Sequence, residues 1–243
     1  MSRSLCIRGV EQRKSHPGED PPGRCAIETK EAVVLLSGGI DSATALVLAK
    51  EAYNLRALTF MYHGVAASEL RSARAVASWA DIAEHRFVNL PDLREAADIP
   101  GTNFEGLPPT YIPLRNGVFY SFAASYAEEV RASAIIGGHN MDDTAVFADV
   151  SPEFFTSLEK AFRIGSPILR ELNLKLLRPL RRLTKPTVVK LASARGVPLE
   201  LTWSCHRDHR MHCWECAGCL SRRASFNEAG VVDPLAPRGR KVT

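Results

Sequence analysis

No run in the 243-residue sequence comes near the roughly 18 consecutive apolar residues that a membrane-spanning helix requires, so no membrane association is expected. Residues 1–24 also lack the apolar stretch of a secretory signal, and a cytoplasmic protein is the expectation. A strong charge excess is missing too: 31 Lys and Arg against 27 Asp and Glu leave a formal +4, scattered along the chain. So modest a surplus gives no basis for direct nucleic-acid binding. There are no internal repeats or low-complexity tracts, which excludes solenoids and compositional linkers. Two common phosphate-binding turns, Gly-x-x-x-x-Gly-Lys and Gly-x-Gly-x-x-Gly, are absent, and with them the protein classes that depend on them.

What is present is an apolar share of 45% with 24% charged residues, enough to bury one substantial core and carry a small appended module. Residues 1–30 are rich in Arg, Glu, Pro and Gly without periodicity and read as a flexible extension or an added strand; Cys6 and Cys25 within it read as incidental thiols. From residue 31 the pattern alternates. Strands are expected at 32–36, 56–62, 85–90 and 134–138, and helices at 41–52, 68–80 and 117–131. Further on, a helix at 152–164, a last strand at 176–179, a helix at 185–195 and a short one at 222–229 follow. Apolar strands separated by helices specify an α/β protein with a doubly wound parallel sheet covered on both faces. The Gly- and Pro-rich stretch 93–113 is too long for a simple connector and is a candidate lid or substrate loop. The expected organisation is an N-terminal extension over 1–30, a main α/β domain over 31–200 and a cysteine-rich segment over 201–243.

The first strand runs into Ser37-Gly38-Gly39-Ile40-Asp41-Ser42 and then a helix. At such a junction unpaired backbone amides and the positive helix end converge, which suits an anion such as pyrophosphate. Gly38 and Gly39 let the backbone bend towards phosphate oxygens, and the Ser37 and Ser42 hydroxyls can donate to them. Asp41 cannot donate; its expected work is to hold the loop or to help place a magnesium ion. The turn resembles the signature of the PP-loop ATP pyrophosphatases, which cleave ATP to AMP and pyrophosphate while adenylating a substrate. The resemblance implies ATP bound at the carboxyl ends of the strands.

Four cysteines, Cys205, Cys213, Cys216 and Cys219, fall within fifteen residues. In a reducing compartment that clustering means metal rather than disulfides. Four thiolates close a tetrahedral zinc site and leave no position for water, so the expected role is structural, pinning the C-terminal segment beside the nucleotide cleft. An iron–sulfur cluster stays open, although the Cys-Pro of the ferredoxin run is missing. His206, His209 and His212 read as solvated loop residues rather than ligands.

Together these features resemble the 7-cyano-7-deazaguanine synthase (QueC) family. The matching residues include 35–44, 57–60, Tyr111-Ile112-Pro113-Leu114-Arg115-Asn116, Gly138-His139-Asn140-Met141-Asp142-Asp143, Leu183-Thr184-Lys185, 201–205 and 229–234. The resemblance implies adenylation of a carboxylate on 7-deazaguanine, displacement of AMP by ammonia to give an amide, and a second ATP-dependent activation that ends in a nitrile. It also implies a homodimer. Arg115 and Lys185 are the candidates for neutralising phosphate charge and, with Asp41, for catalysis. Asn116, Asn140 and Asp143 could hold base or ribose, and Tyr111 or Trp203 could stack on a purine-like ring.

The sequence departs from the family at two places. The family's Asp-Tyr-Gly-Gln-Arg-His is here Met61-Tyr62-His63-Gly64-Val65-Ala66, and Gly-Tyr-Pro-Asp-Cys-Arg is here Val146-Phe147-Ala148-Asp149-Val150-Ser151. Lost hydrogen-bonding groups on a substrate loop change what is accepted. A paralogue that joins a deazaguanine carboxylate to an amine of a protein or other partner, or that stops at the amide, is therefore an alternative, with an antiviral defence cassette as one setting. A tRNA-modifying PP-loop enzyme and a catalytically silent nucleotide-binding interaction protein are the others; the first lacks its usual RNA-binding module, and the intact turn argues against the second.

Overall fold

Alternation along β1 (Lys30–Leu35) sends Ala32 and Val34 into one apolar cluster and Val33 into another, so this strand must be covered on both faces. The computed structural model describes residues 30–99, 106–107, 111–144 and 146–237. The expected extension, save its last residue, lies outside them, as does part of the 93–113 stretch. β1 is followed by α1 (Ile40–Lys50), β2 (Tyr53–Tyr62), α2 (Ala67–Trp79), β3 (Glu84–Leu90), α3 (Arg115–Glu129) and β4 (Ala134–Ile136). Then come α4 (Met141–Thr144), α5 (Pro152–Gly165), α6 (Pro167–Glu171), β5 (Lys175–Leu177), α7 (Lys185–Ala194) and α8 (Ala217–Ala229).

The five strands form one sheet in the order β3-β2-β1-β4-β5, every pairing parallel. The fold is thus α/β, a doubly wound parallel sheet. Val34 pairs with Ala57 on one side and Ile136 on the other, so β1 is central. The chain winds outward from β1 to β3, then returns across it to β4. That reversal opens a crevice beyond the carboxyl ends of β1 and β4, the usual ligand position in such sheets.

One face is closed by α1, α2, α7 and α8, whose Leu46, Val76, Val188 and Phe226 meet Val34 and Ile136. The other is closed by α3 and α5, whose Tyr120 and Phe155 meet Val33 and Ile135. Phe226 and Ala229 of α8 therefore belong to the same core as the sheet. α5 and α6 start at Ser151 and Ser166, whose hydroxyls accept from Phe154 N (3.1 Å) and Leu169 N (3.0 Å), each with proline next in the chain. Arg222 ties α8 down: its guanidinium, with a side chain 0% exposed, makes a bidentate pair with Asp233 at 2.6 and 2.8 Å and also donates to Thr202 Oγ1 and Leu199 O. No described helix is long and apolar enough to cross a membrane.

Candidate active site

The turn between β1 and α1 closes on itself. Ser37 N donates to Ser42 Oγ at 3.2 Å, the two hydroxyl oxygens lie 3.1 Å apart, and Ser42 Oγ donates to Gly39 O at 3.1 Å. Gly38 has φ +86°, and a Cβ there would lie 2.5 Å from Ala73 N and 2.8 Å from Glu69 O. Both the backbone angle and the closeness of α2 thus demand glycine. Its carbonyl accepts from Ser72 Oγ at 2.8 Å and Trp203 N at 2.9 Å. Gly39, by contrast, has φ −77°, and a Cβ there would make only ordinary contacts, with Ser37 Oγ at 3.4 Å and Trp203 O at 3.7 Å. Gly138 lies against Asp41 and Ser42, where a Cβ would come within 2.7 Å of backbone, so the end of β4 fits closely under the start of α1.

The crevice at the reversal is lined by Ser37, Asp41 and Ser42, by Phe60, Tyr62 and Glu69, by Arg115, Asn116 and Phe119, and by Gly138, His139 and Asp143. It has an acidic side. Burial, then the charge of Asp143, pushes the Asp41 carboxyl up to about 7, against Lys185 and a 3.2 Å hydrogen bond from Asn140 Nδ2. Burial raises Asp143 too, against the Asn140 backbone N–H and Lys185. Two carboxylates that oppose each other's ionisation, with oxygen donors only, fit a hard divalent cation. A second, mixed side comes from β2, α2 and α3. Burial raises Glu69 to about 7, with Arg115 opposing it. Burial and the nearby Arg115 and Arg178 guanidiniums hold His139 down to about 4, so its ring is neutral.

Of the residues expected at the site, Ser37, Asp41, Ser42, Arg115, Asn116 and Asp143 line this crevice. Asn140 is fully buried beside it as a cap: its side-chain oxygen accepts from Asp142 N (2.8 Å) and Asp143 N (3.2 Å) while its amide reaches Asp41. Lys185 opens α7, its N–H bonded to Asp142 Oδ2 at 3.0 Å. Asn116 N donates to the buried Asp149 at 2.9 Å, which fixes the start of α3 and hence Arg115. Tyr111 stacks on Phe147, and Trp203 lies against His212 with its indole N–H on Cys205 O at 2.7 Å; neither lines the crevice. Tyr62, Glu69, Phe119 and His139 line it and were not singled out as site residues in the sequence. Their signal was position: Tyr62 is the last residue of β2, His139 follows the carboxyl end of β4, and Glu69 stands in the first turn of α2.

The sulfurs of Cys205, Cys213, Cys216 and Cys219 all lie within 4.8 Å of one another, with Cys205–Cys213 at 3.5 Å and Cys213–Cys219 and Cys216–Cys205 at 3.8 Å. A Zn–S bond of about 2.3 Å in a tetrahedron gives sulfur–sulfur edges of about 3.8 Å, so one ion fits the set. A cluster that gives each thiolate its own iron needs sulfurs spread more widely than a shared ion does. Backbone N–H groups of Arg207 and Cys216 point at Cys205 and Cys213 sulfurs at 3.4 and 3.3 Å. The reading of His212 as a solvated residue is corrected: it is buried, its Nε2 accepts from Ser204 N at 3.0 Å, and Trp203 and Trp214 flank it. The ligand loop also reaches α2, where Asp208 Oδ1 accepts from Ser68 N at 3.1 Å and Ser68 Oγ at 2.8 Å.

Residues 31–230 match the family model described as "Queuosine biosynthesis protein QueC". The chain belongs to the QueC family. It is 38% identical over 221 residues to a 7-cyano-7-deazaguanine synthase of Nostoc punctiforme, covering 84% of this chain and 98% of that one. It is 36% identical over 220 residues to a second of that name from Thermoplasma acidophilum, covering 86% and 92%. An NMN synthetase structure from Francisella tularensis aligns with a TM-score of 0.47 at 18% identity, covering 84% of this chain and 78% of the other. As a QueC-family member the chain is an ATP-dependent enzyme of the PP-loop type. The departure at residues 61–67 contains the crevice residue Tyr62 and ends two positions before Glu69. His63 there is exposed and faces Asp98 at 3.7 Å.

Proposed function

We propose that this enzyme adenylates 7-carboxy-7-deazaguanine and passes the activated acyl group to ammonia, giving first the amide and then 7-cyano-7-deazaguanine. The observation that carries the reading is the self-bonded turn at Ser37–Ser42, set at the sheet's reversal with the opposed carboxylates of Asp41 and Asp143 beside it.

The need for ATP is chemical, since a carboxylate oxygen is a poor leaving group. Its attack on the α-phosphorus releases pyrophosphate, held by the turn's amides and hydroxyls at the start of α1. Arg115 and Lys185 neutralise phosphate charge, and Asn116 orients the acid. A magnesium ion held by Asp41 and Asp143 would supply further charge neutralisation. Ammonia then forms the C–N bond as AMP departs; the amide oxygen is adenylated in turn, and loss of AMP and a proton leaves the nitrile. The four cysteines would hold a structural zinc, which fits their sulfur spacing and leaves no open coordination position.

Incubation with ATP, magnesium, 7-carboxy-7-deazaguanine and ammonium, followed by mass spectrometry, tests this. Nitrile with two AMP per product is expected, and no AMP above background would end the reading. The poverty of polar side chains at 64–67 favours one second reading, a paralogue that couples the acyl group to an amine of a partner. Adenylation without nitrile from ammonium would favour it.

A further inference from the structure

The acyl acceptor poses a problem that the phosphate-binding residues do not solve: at neutral pH ammonia arrives mostly as ammonium, which has no lone pair to attack with. We propose that Glu69 is the catalytic base that takes the proton from this ammonium, in a subsite walled by Phe60, Tyr62 and Phe119. This rests on the acyl-adenylate reading above.

Placement comes first. The Glu69 backbone carbonyl lies so close to Gly38 that a Cβ there would be 2.8 Å from it, so the side chain leaves α2 directly beside the turn that holds the phosphates. Glu69 lines the same crevice as Asp41 and Ser42. Among the described residues no hydrogen-bond donor acts on it, and Arg115 of α3 is the charge that does. Tyr62 of β2 feels both Glu69 and Arg115, together with Glu95 from the segment after β3. Glu69 therefore stands apart from the Asp41 group, whose interactions run to Asp142, Asp143, Asn140 and Lys185.

The walls beside Glu69 are aromatic. Phe60 and Phe119 stack face to face on each other with centroids 4.1 Å apart, and Tyr62 lies 5.8 Å from Phe119, so Glu69 is the anionic residue on this wall of the crevice. The other groups of the crevice are unsuited to the work. His139 is a weak base because two guanidiniums and burial hold it down to about 4. Asp41 is engaged by Asn140 and opposed by Asp143. Glu69, raised to about 7, matches the working pH of a general base.

The proton balance is simple. One proton passes from ammonium to Glu69, and the freed lone pair forms the C–N bond. The C–O bond to AMP breaks with its electrons leaving on the phosphate. A second proton then leaves the nitrogen for solvent, and Glu69 returns its own.

The test separates the two half-reactions in wild type and E69Q. Carboxylate-dependent exchange of labelled pyrophosphate into ATP, without ammonium, reports adenylation; amide formation at fixed total ammonium, from about pH 6.5 to about pH 9, reports transfer. In E69Q, exchange should stay within about twofold, while transfer near pH 7 falls by about 100-fold and recovers about tenfold per pH unit, following free ammonia. Wild-type transfer should vary much less across that range. Equal transfer by both proteins near pH 7 overturns the proposal, and so does loss of exchange in E69Q, which would make Glu69 a holder of the acid. Absence of exchange in the wild type would sink the acyl-adenylate reading itself.

Discussion

Replacing Gly38 by Ala while leaving Gly39 alone tests whether the turn is held in shape by α2 and the C-terminal segment. At φ +86° a non-glycine residue costs about 1–2 kcal/mol from its own backbone. The new Cβ would also sit 2.5 Å from Ala73 N, 2.8 Å from Glu69 O and 2.9 Å from Ser72 Cβ, two of them backbone atoms that cannot rotate away. Relief requires the turn and α2 to separate, which weakens the hydrogen bonds of Ser72 Oγ and Trp203 N to the Gly38 carbonyl. At about 1 kcal/mol each, these bring the expected loss to about 3–4 kcal/mol. Displacement of the turn by a large fraction of an ångström should lower adenylation by about 100-fold. Gly39→Ala is the control: its Cβ would meet Ser37 Oγ at 3.4 Å and Trp203 O at 3.7 Å, and its φ is ordinary. That variant should keep its stability within about 0.5 kcal/mol and lose activity only through crowding of the phosphates. Urea denaturation followed by circular dichroism, beside AMP release by chromatography, reads both quantities. If Gly38→Ala and Gly39→Ala proved equally stable, the packing argument would be wrong.

Arg222→Met should cost about 3–5 kcal/mol, because it strands the Asp233 carboxylate, 6% exposed, without its partner; urea midpoints check this, and adding Asp233→Asn should recover part of the loss. Metal analysis should find one zinc per chain and no visible iron–sulfur absorbance, and Cys219→Ser should lower both metal content and melting temperature. For pH, Glu69 rises on folding from 4.5 to about 7, so its protonated form is favoured in the native state and wild-type stability falls as pH climbs between those values. Glu69→Gln removes this dependence. The variant should match the wild type near pH 4 and exceed it by about 1–3 kcal/mol at pH 8, and superimposable stability–pH curves would refute the assignment.

The parts legible in the sequence are those whose chemistry is local. The strand, the glycine turn and the start of α1 are contiguous, and the four cysteines whose sulfurs come together lie close in the sequence, so spacing alone exposes them. The limits of that reading are physical. α8 begins at Ala217 rather than near 222 because the Cys216–Cys219 step takes up the first helical turn. α4 and α6 are too short to show periodicity, and their signals lie in the caps supplied by Asn140 and Ser166. His212 looks like a loop residue until the fold places it between Trp203 and Trp214. Glu69 was illegible for another reason: a glutamate in the first turn of a helix is an ordinary helix former, and only the neighbouring Gly38 turn places it in a crevice.

The cysteine loop and the Gly38 turn meet through α2. Asp208, from the loop between Cys205 and Cys213, accepts from Ser68 N and Oγ and so caps the start of that helix. One turn further on, Ser72 Oγ donates to the Gly38 carbonyl, and it also reaches Leu201 O just ahead of the ligand loop. Glu69 lies between these two anchors. Loss of the ion would free the loop, and the first consequence would be an uncapped α2, costing about 1 kcal/mol, rather than a breach of the core, which is built from other residues. A chelated protein should therefore lose transfer to ammonia before it loses secondary structure. Parallel decay of activity and helical circular dichroism during chelation would show instead that the ion supports the whole fold and not this helix in particular.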